Sequence, residues 1–383
     1  MPLWNRTLLV LVLLATPLAA ADPPFATELE LGFGCEGSET GRPLVVLDGT
    51  PSASYAYSAD ARAHAIDVAA TRWLAPVGDD GRTPLALVPY VSRVSSVVAR
   101  LALTGASRDS FGSFSGQAAS LDVRLAGDRT LREAGLSAEW FLTKGLAVRG
   151  GFSLDRERST DASTSVESPS GRADVSTAGT RTSAASGSVG VALRLGDHEV
   201  SGSGSYGETD LNREDASAFT GGAQPSFSTL FSSAIAREAT LATRLLFLDR
   251  RFAVDASGSY SLTTSASEVT STLSGPVSGA RAIARAAGVE ATWFATRRLG
   301  LSAGFGYGTR SVASGSPGRL RPSRSETSRL YSARARWFAS PRVSIAFSVS
   351  RAEEDETAPP DSSTFQRFDT TVDRVTFGAA VRF

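Results

Sequence analysis

Two histidines and one cysteine are almost all the sequence offers for nucleophilic or metal chemistry. His64 stands near Asp67, and His198 follows Gly196-Asp197 in a predicted short turn. A hydrolytic His/Ser/Asn arrangement would have to use Asn212, the one asparagine beyond residue 21, and it falls in a predicted loop. A protease built on paired aspartates and an Asp/His couple needs its histidine at the end of the molecule carrying the long loops. His198 is expected at the other end. Both histidines therefore read as structural, and the chain is not expected to be an enzyme. Cys35 shares an apolar face with Leu29, Leu31 and Phe33, and a lone cysteine excludes an internal disulfide or a cysteine metal cluster. Gly202-Ser203-Gly204-Ser205-Tyr206-Gly207 has the letters of a dinucleotide fingerprint. That motif needs a helix to start inside it, so that the pyrophosphate meets the helix N-terminus. Here an alternating strand runs through it, so small strand residues explain the match. Glu353 to Glu356 with Asp361 read as a solvated acidic loop without the spacing of a calcium loop. Arg310, Arg319, Arg321 and Arg324 read as a basic loop able to meet lipid phosphates. No cofactor and no metal are expected.

The elements that carry these residues follow from composition and alternation. The 383 residues hold 39 basic and 39 acidic side chains, which gives no basic stripe for nucleic acid. Residues 1–21 read as a secretory signal, with Arg6, the apolar run Leu8 to Leu14 and the small residues Ala19-Ala20-Ala21. Beyond them no apolar run approaches the ~18–20 residues of a spanning helix. Residues 22–383 read as one unit. In its last stretch Val375, Phe377, Ala379, Val381 and Phe383 face one way, and Arg374, Thr376, Gly378, Ala380 and Arg382 the other, as side chains of a strand do. The same alternation recurs along the chain. Corner segments repeat between the runs: Trp140-Phe141-Leu142-Thr143-Lys144-Gly145, Trp293-Phe294-Ala295-Thr296-Arg297-Arg298 and Trp337-Phe338-Ala339-Ser340-Pro341-Arg342. Arg72-Trp73-Leu74-Ala75-Pro76 and Leu246-Phe247-Leu248-Asp249-Arg250 are looser copies. Trp73, Trp140, Phe247, Trp293 and Trp337 are thereby predicted to form an aromatic belt at a membrane interface. Turns after them are short. The connections at the other ends, about 156–180, 208–230, 265–279, 310–326 and 352–365, read as long polar loops, the asymmetry of a membrane barrel.

A closing strand that ends on Phe resembles that of bacterial outer-membrane β-barrels. The resemblance implies that Phe377, Val381 and Phe383 belong to the signal read by the barrel-assembly machinery. Pro84-Leu85-Ala86 with Tyr90, Arg93, Ser95 and Ser96 resembles a corner segment of uncharacterised proteobacterial porin-like proteins. The fold expected is all-β, a transmembrane antiparallel up-and-down barrel of about 14 strands, with 12 and 16 open because parity requires only an even count. Residues 107–131 can be a loop hairpin, a strand extension or an extra strand pair.

The inward face is where function is expected. By alternation it carries Glu28, Glu30, Glu133, Glu139, Asp155, Glu238, Asp255 and Glu290. Against these stand Arg100, Arg149, Arg194, Arg244, Arg334, Arg336, Arg374 and Arg382. Enclosed charges need partners, so water fills the interior or the side chains pair across it. The expectation is an exported outer-membrane barrel acting as a porin-like passive channel for small hydrophilic solutes. The alternative is a non-conducting barrel with a structural or surface-interaction role. Lipid, lipopolysaccharide, the assembly machinery and small hydrophilic solutes are the expected partners, and the oligomeric state stays open.

Overall fold

The computed structural model describes residues 25–41, 45–46, 54–78, 80–115, 120–168, 172–219, 226–271, 278–316, 319–357 and 367–383. The predicted signal segment lies outside them, as does Asp361. Among the described residues the chain forms a closed antiparallel barrel of 14 strands. These are β1 (Phe25–Gly41), β2 (Ser54–Val77), β3 (Ser96–Ser115), β4 (Ser120–Phe141), β5 (Leu146–Ser168), β6 (Arg172–Leu195) and β7 (His198–Phe219). They continue as β8 (Ser226–Phe247), β9 (Phe252–Ser271), β10 (Ser278–Thr296), β11 (Leu299–Ser316), β12 (Arg319–Ser340), β13 (Val343–Thr357) and β14 (Arg367–Arg382). A two-residue ladder, Val45–Val46, lies on the far end of β2. Each strand pairs with the next in sequence, and β1 closes the circle by pairing with both β14 and β2.

The register fixes the shape. Paired residues lead from Phe252 through Trp293, Leu301, Ala335, Phe347, Phe377, Phe33 and Ile66 to Leu103. They continue through Arg132, Arg156, Ser183, Asp210 and Ser233 back to β9 at Ala266, so one circuit climbs from residue 252 to residue 266, a shear of 14. A shear equal to the strand number tilts the strands by roughly 35° and gives a backbone diameter of about 25 Å. Because the shear is even, the inward and outward faces stay in phase around the whole wall. Leu29, Leu103, Phe152, Val189, Leu241, Val289, Phe305 and Phe347 are outward and exposed, forming the apolar coat that an outer-membrane barrel presents to lipid.

Several expectations are corrected. The strands run 15–24 residues, well past the ~9–11 that span a membrane. Much of each predicted long loop is strand: β5 and β6 pair as far as Glu167 and Arg172, and β11 and β12 as far as Ser316 and Arg319. These stretches carry Ser, Thr and charge on both faces, so they lack the apolar alternation that marks a strand. Of the three readings of 107–131, strand extension is the one seen: residues 107–115 and 120–131 are the paired ends of β3 and β4. Glu353 to Glu356 lie in β13, and Arg310, Arg319, Arg321 and Arg324 in β11 and β12. Of these arginines, Arg310 pairs with Glu326 at 3.5 Å and Arg324 with Glu356 at 3.0 Å.

The turns at one end are short. The exception is the connection between β2 and β3, whose residues 80–95 fold back across the mouth of the barrel. It contains one short helix, α1 (Val88–Ser92), stopped by Arg93 in the left-handed region at φ 53°.

Candidate functional site: a plug across the barrel mouth

The plug is built from an apolar underside and hydrogen-bonded edges. Leu85 and Val88 pack with Phe25, Trp73, Val77 and Phe338, while Leu87 packs with Leu246, Ala253 and Phe294. Those partners come from β1, β2, β8, β9, β10 and β12, so the segment reaches opposite sides of the wall. Phe25 and Trp73 meet edge-on, with centroids 5.3 Å apart. Trp73 was expected in the outward belt. It is only 6% exposed and faces inward, because Ile66, Val68 and Leu74 set the outward parity of β2. Phe25, which has the numbering parity of outward Leu29, also turns inward after the bulge between Phe25 and Thr27. Trp140, Phe247, Trp293 and Trp337 are outward and exposed.

Arginines hold the plug by its carbonyls. Arg382, 3% exposed, donates to the Leu85 carbonyl at 3.0 Å and to Glu28 at 2.5 Å, between the rings of Phe25 and Phe338. On the other side Arg194, 5% exposed, donates to the Tyr90 carbonyl at 2.8 Å and lies 4.3 Å from the Tyr90 ring centre. It is neutralised by Glu199 at 2.6 Å and Glu139 at 3.3 Å, and Arg149 binds the same two carboxylates. Arg244 pairs with Asp255 at 2.6 Å beneath the same tyrosine ring. Arg297 donates to the Thr83 carbonyl at 3.2 Å, and its own carbonyl accepts from the Leu85 amide at 2.9 Å. Arg93 donates to the Lys144 carbonyl at 2.7 Å and also to that of Gly196. Arg250 donates to the Thr83 hydroxyl at 2.9 Å and to Asp197 at 2.8 Å. It sits in a turn where Leu248, Asp249 and Arg250 all have positive φ, a conformation uncommon for non-glycine residues.

Two carboxylates in the connections at this end are shifted. Backbone donation from Thr83 is the largest influence holding the Asp80 carboxyl below the ordinary range, and burial opposes it. Asp197 is lowered chiefly by the hydrogen bond from Arg250.

Above the plug the remaining inward charges line the wall. Arg336 donates to Ser344 at 3.1 Å and lies 3.5 Å from Glu28. Arg100 pairs with Asp67, and Arg374 with Glu36. Glu30, Glu133 and Arg334 line the same space as these pairs, a cavity of about 610 Å3. Glu290 lines a second space of about 560 Å3, directly on Tyr90, Arg149 and Arg244. Glu133 and Asp155 are directly opposed on β4 and β5. Glu238 accepts only from Thr240, at 3.4 Å. Alternation alone did not identify Asp67, Glu199 or Glu36 as partners, although each falls on the inward parity of its strand. It also missed the whole plug, whose short runs have neither strand nor helix period. At the outer wall the Cys35 sulfur lies 3.4 Å from Nδ1 of His64. His198 accepts from the Leu246 amide at 3.3 Å beside Phe247. Phe377 and Phe383 are outward and exposed, and Val381 is 9% exposed.

Strand number, shear, outward apolar coat and closure between first and last strands define the fold of a bacterial outer-membrane β-barrel. No family model and no curated protein matches the sequence. Solved structures do. The Pseudomonas putida toluene transporter TodX aligns over 97% of this chain and 93% of its own, with TM-score 0.54 and 10% identity. A TodX mutant described as a monoaromatic hydrocarbon channel aligns over 97% and 94%, with TM-score 0.56 and 13% identity. A Pseudomonas aeruginosa FadL homologue aligns over 94% and 90%, with TM-score 0.50 and 11% identity. At such identities the likeness is one of fold.

Proposed function

We propose that the chain is an outer-membrane channel kept closed at its periplasmic mouth by residues 80–95, and so admits selected small molecules rather than standing open. The observation that carries this is the plug itself, held by buried Arg194 and Arg382 from nearly opposite walls. An open general pore, the simplest form of the porin expectation, has no support at this mouth. Membrane residence is supported by the outward Trp140, Trp293 and Trp337 near one end and Tyr206, Tyr260, Tyr307 and Tyr331 further up. Counted along tilted strands, the two girdles lie roughly 20 Å apart, near the ~25 Å apolar band of such barrels.

The solute class follows from the wall. Above the plug it presents Arg, Asp, Glu, Ser and Gly, which suits a small molecule carrying polar or charged groups. A second reading rests on the apolar plug residues Leu87 and Val91 beside Phe294 and on the hydrocarbon channels among the fold neighbours. In it the passenger is a small apolar molecule that displaces the plug. Liposomes carrying the refolded protein separate the two. Uptake of sugars and amino acids but not toluene supports the first, and the reverse supports the second. Leakage-free vesicles toward both would contradict a channel and favour the non-conducting barrel.

A further inference from the structure

The outward face carries a feature that neither plug nor lumen uses. On three adjacent strands, Arg132 of β4 is directly opposed to Arg156 of β5, and Arg158 of β5 to Arg181 of β6. All four share the parity of the apolar coat, are exposed, and make no ion pair or hydrogen bond with a described residue. Like charges directly opposed on a sheet destabilise it, so this arrangement calls for an anion. Asp128 on β4 itself and Glu208 and Asp210 on β7, the last two lining the adjoining groove, flank the group but pair with none of these arginines, and Glu208 accepts from the Tyr206 hydroxyl. The pair Arg132–Arg156 also stands at the top of a groove of about 790 Å3 in the outer wall, whose lower part is lined by Ile66, Leu101, Leu103 and Leu154. Counted up the tilted strands, these arginines begin about a residue or two above the level of the upper tyrosine girdle. That is where headgroups of the outer leaflet would lie.

We propose that this groove is a binding site for a phosphorylated lipid of the outer leaflet. An acyl chain lies along Leu101, Leu103 and Leu154, and a phosphate bridges the Arg132 and Arg156 guanidinium groups, with Arg158 and Arg181 taking a second phosphate or sugar oxygens. Guanidinium groups suit this role because their planar donors match phosphate oxygens in pairs. The inference rests on the outer-membrane reading above. An acid pair, Glu133 and Asp155, stands directly inside the wall behind the basic pair. The wall therefore separates its charges by face at this point, and neither acid forms an ion pair with the outer arginines.

The test uses the full mature chain refolded in detergent micelles and titrated with diphosphoryl lipid A, with the same lipid lacking phosphates, and with inorganic phosphate. Diphosphoryl lipid A is expected to bind at least tenfold more tightly than the dephosphorylated lipid, and inorganic phosphate far more weakly. The double variant Arg132→Gln/Arg156→Gln is expected to lose that tenfold preference. In lipid-free micelles it should unfold at the same temperature as the parent or a higher one, because an opposed like-charge pair has been removed. Equal affinity for both lipids, an unchanged preference in the variant, or inorganic phosphate competing at equal concentration would overturn the proposal. Outer-membrane fractionation and heat-modifiable gel mobility, measured on the same preparation, report separately on the membrane reading. A barrel that fractionates correctly but shows no phosphate preference sinks this inference alone, and a soluble chain sinks both.

Discussion

Arg194 shows how a single buried charge can serve a plug. Its guanidinium is enclosed by Glu199, Glu139, the Tyr90 ring and the Phe141 ring, and its third nitrogen, Nη1, donates to the Tyr90 carbonyl. Removing it leaves Glu199 and Glu139 to Arg149 alone and strands the Tyr90 carbonyl, so the loss approaches but does not exceed the cost of breaking a buried pair, up to about 3 kcal/mol. Arg194→Gln should lower the unfolding free energy by about that amount in urea titrations in a suitable detergent. A change below about 0.5 kcal/mol would show the cluster to be solvated and the anchor weak. Asp197 gives a pH dependence with a definite sign. Its carboxyl is held below the ordinary value mainly by Arg250. A carboxyl lowered by folding contributes stability above its unfolded value of about 3.9 and loses it as pH falls through the lower folded value. The anchor formed by Asp197, Arg250 and Thr83 should therefore hold at pH 7 and 5 and weaken as pH falls below the unfolded value of about 3.9. The protection of amides 80–93 against exchange, read by mass spectrometry relative to the intrinsic rate at each pH, should fall over that interval, and Asp197→Asn should show the lower protection already at pH 7. Protection independent of both pH and the substitution would contradict the assignment.

Among the elements, the strands and the plug obey different rules, and only the strands were legible in the sequence. Alternation found every strand of the barrel wall because each keeps one apolar face over the length that meets lipid. It lost the outer halves of β5 to β8, where polar residues on both faces satisfy a ladder as well as a loop. Pro84-Leu85-Ala86 and Tyr90 resemble a corner segment of porin-like proteins without showing what the corner does. Eighteen residues between β2 and β3 form too short an apolar set to carry a period, and their partners lie on distant strands. Trp73 could have been placed correctly. It is odd-numbered in a strand whose outward residues Ile66, Val68 and Leu74 are even, and the corner repeat outweighed that parity. The distinction is measurable with variants retaining one tryptophan each. Brominated lipid should quench Trp140, Trp293 and Trp337, which are 50% exposed or more, and leave Trp73, at 6%, bright. Strong quenching of Trp73 would mean that the plug does not cover it.

For the whole molecule, the decisive relation is between shear, diameter and plug. Fourteen strands with a shear of 14 enclose a wall about 25 Å across between backbones, wide enough for water once side chains are subtracted. Its inward face is small and polar along β10 and β11, with Gly288, Gly304 and Gly306 leaving room beside Glu290 and Ser332. A barrel of this size would conduct if its mouth were open. In the channel proposed above, what limits conduction is the segment crossing that mouth. Planar-bilayer recording of the refolded protein beside a variant with residues 84–92 replaced by a short glycine-serine turn tests it most directly. The parent should show small or infrequent steps, and the variant large, long-lived steps of a wide water-filled pore. Equal, large conductance from both proteins would contradict a plugged channel.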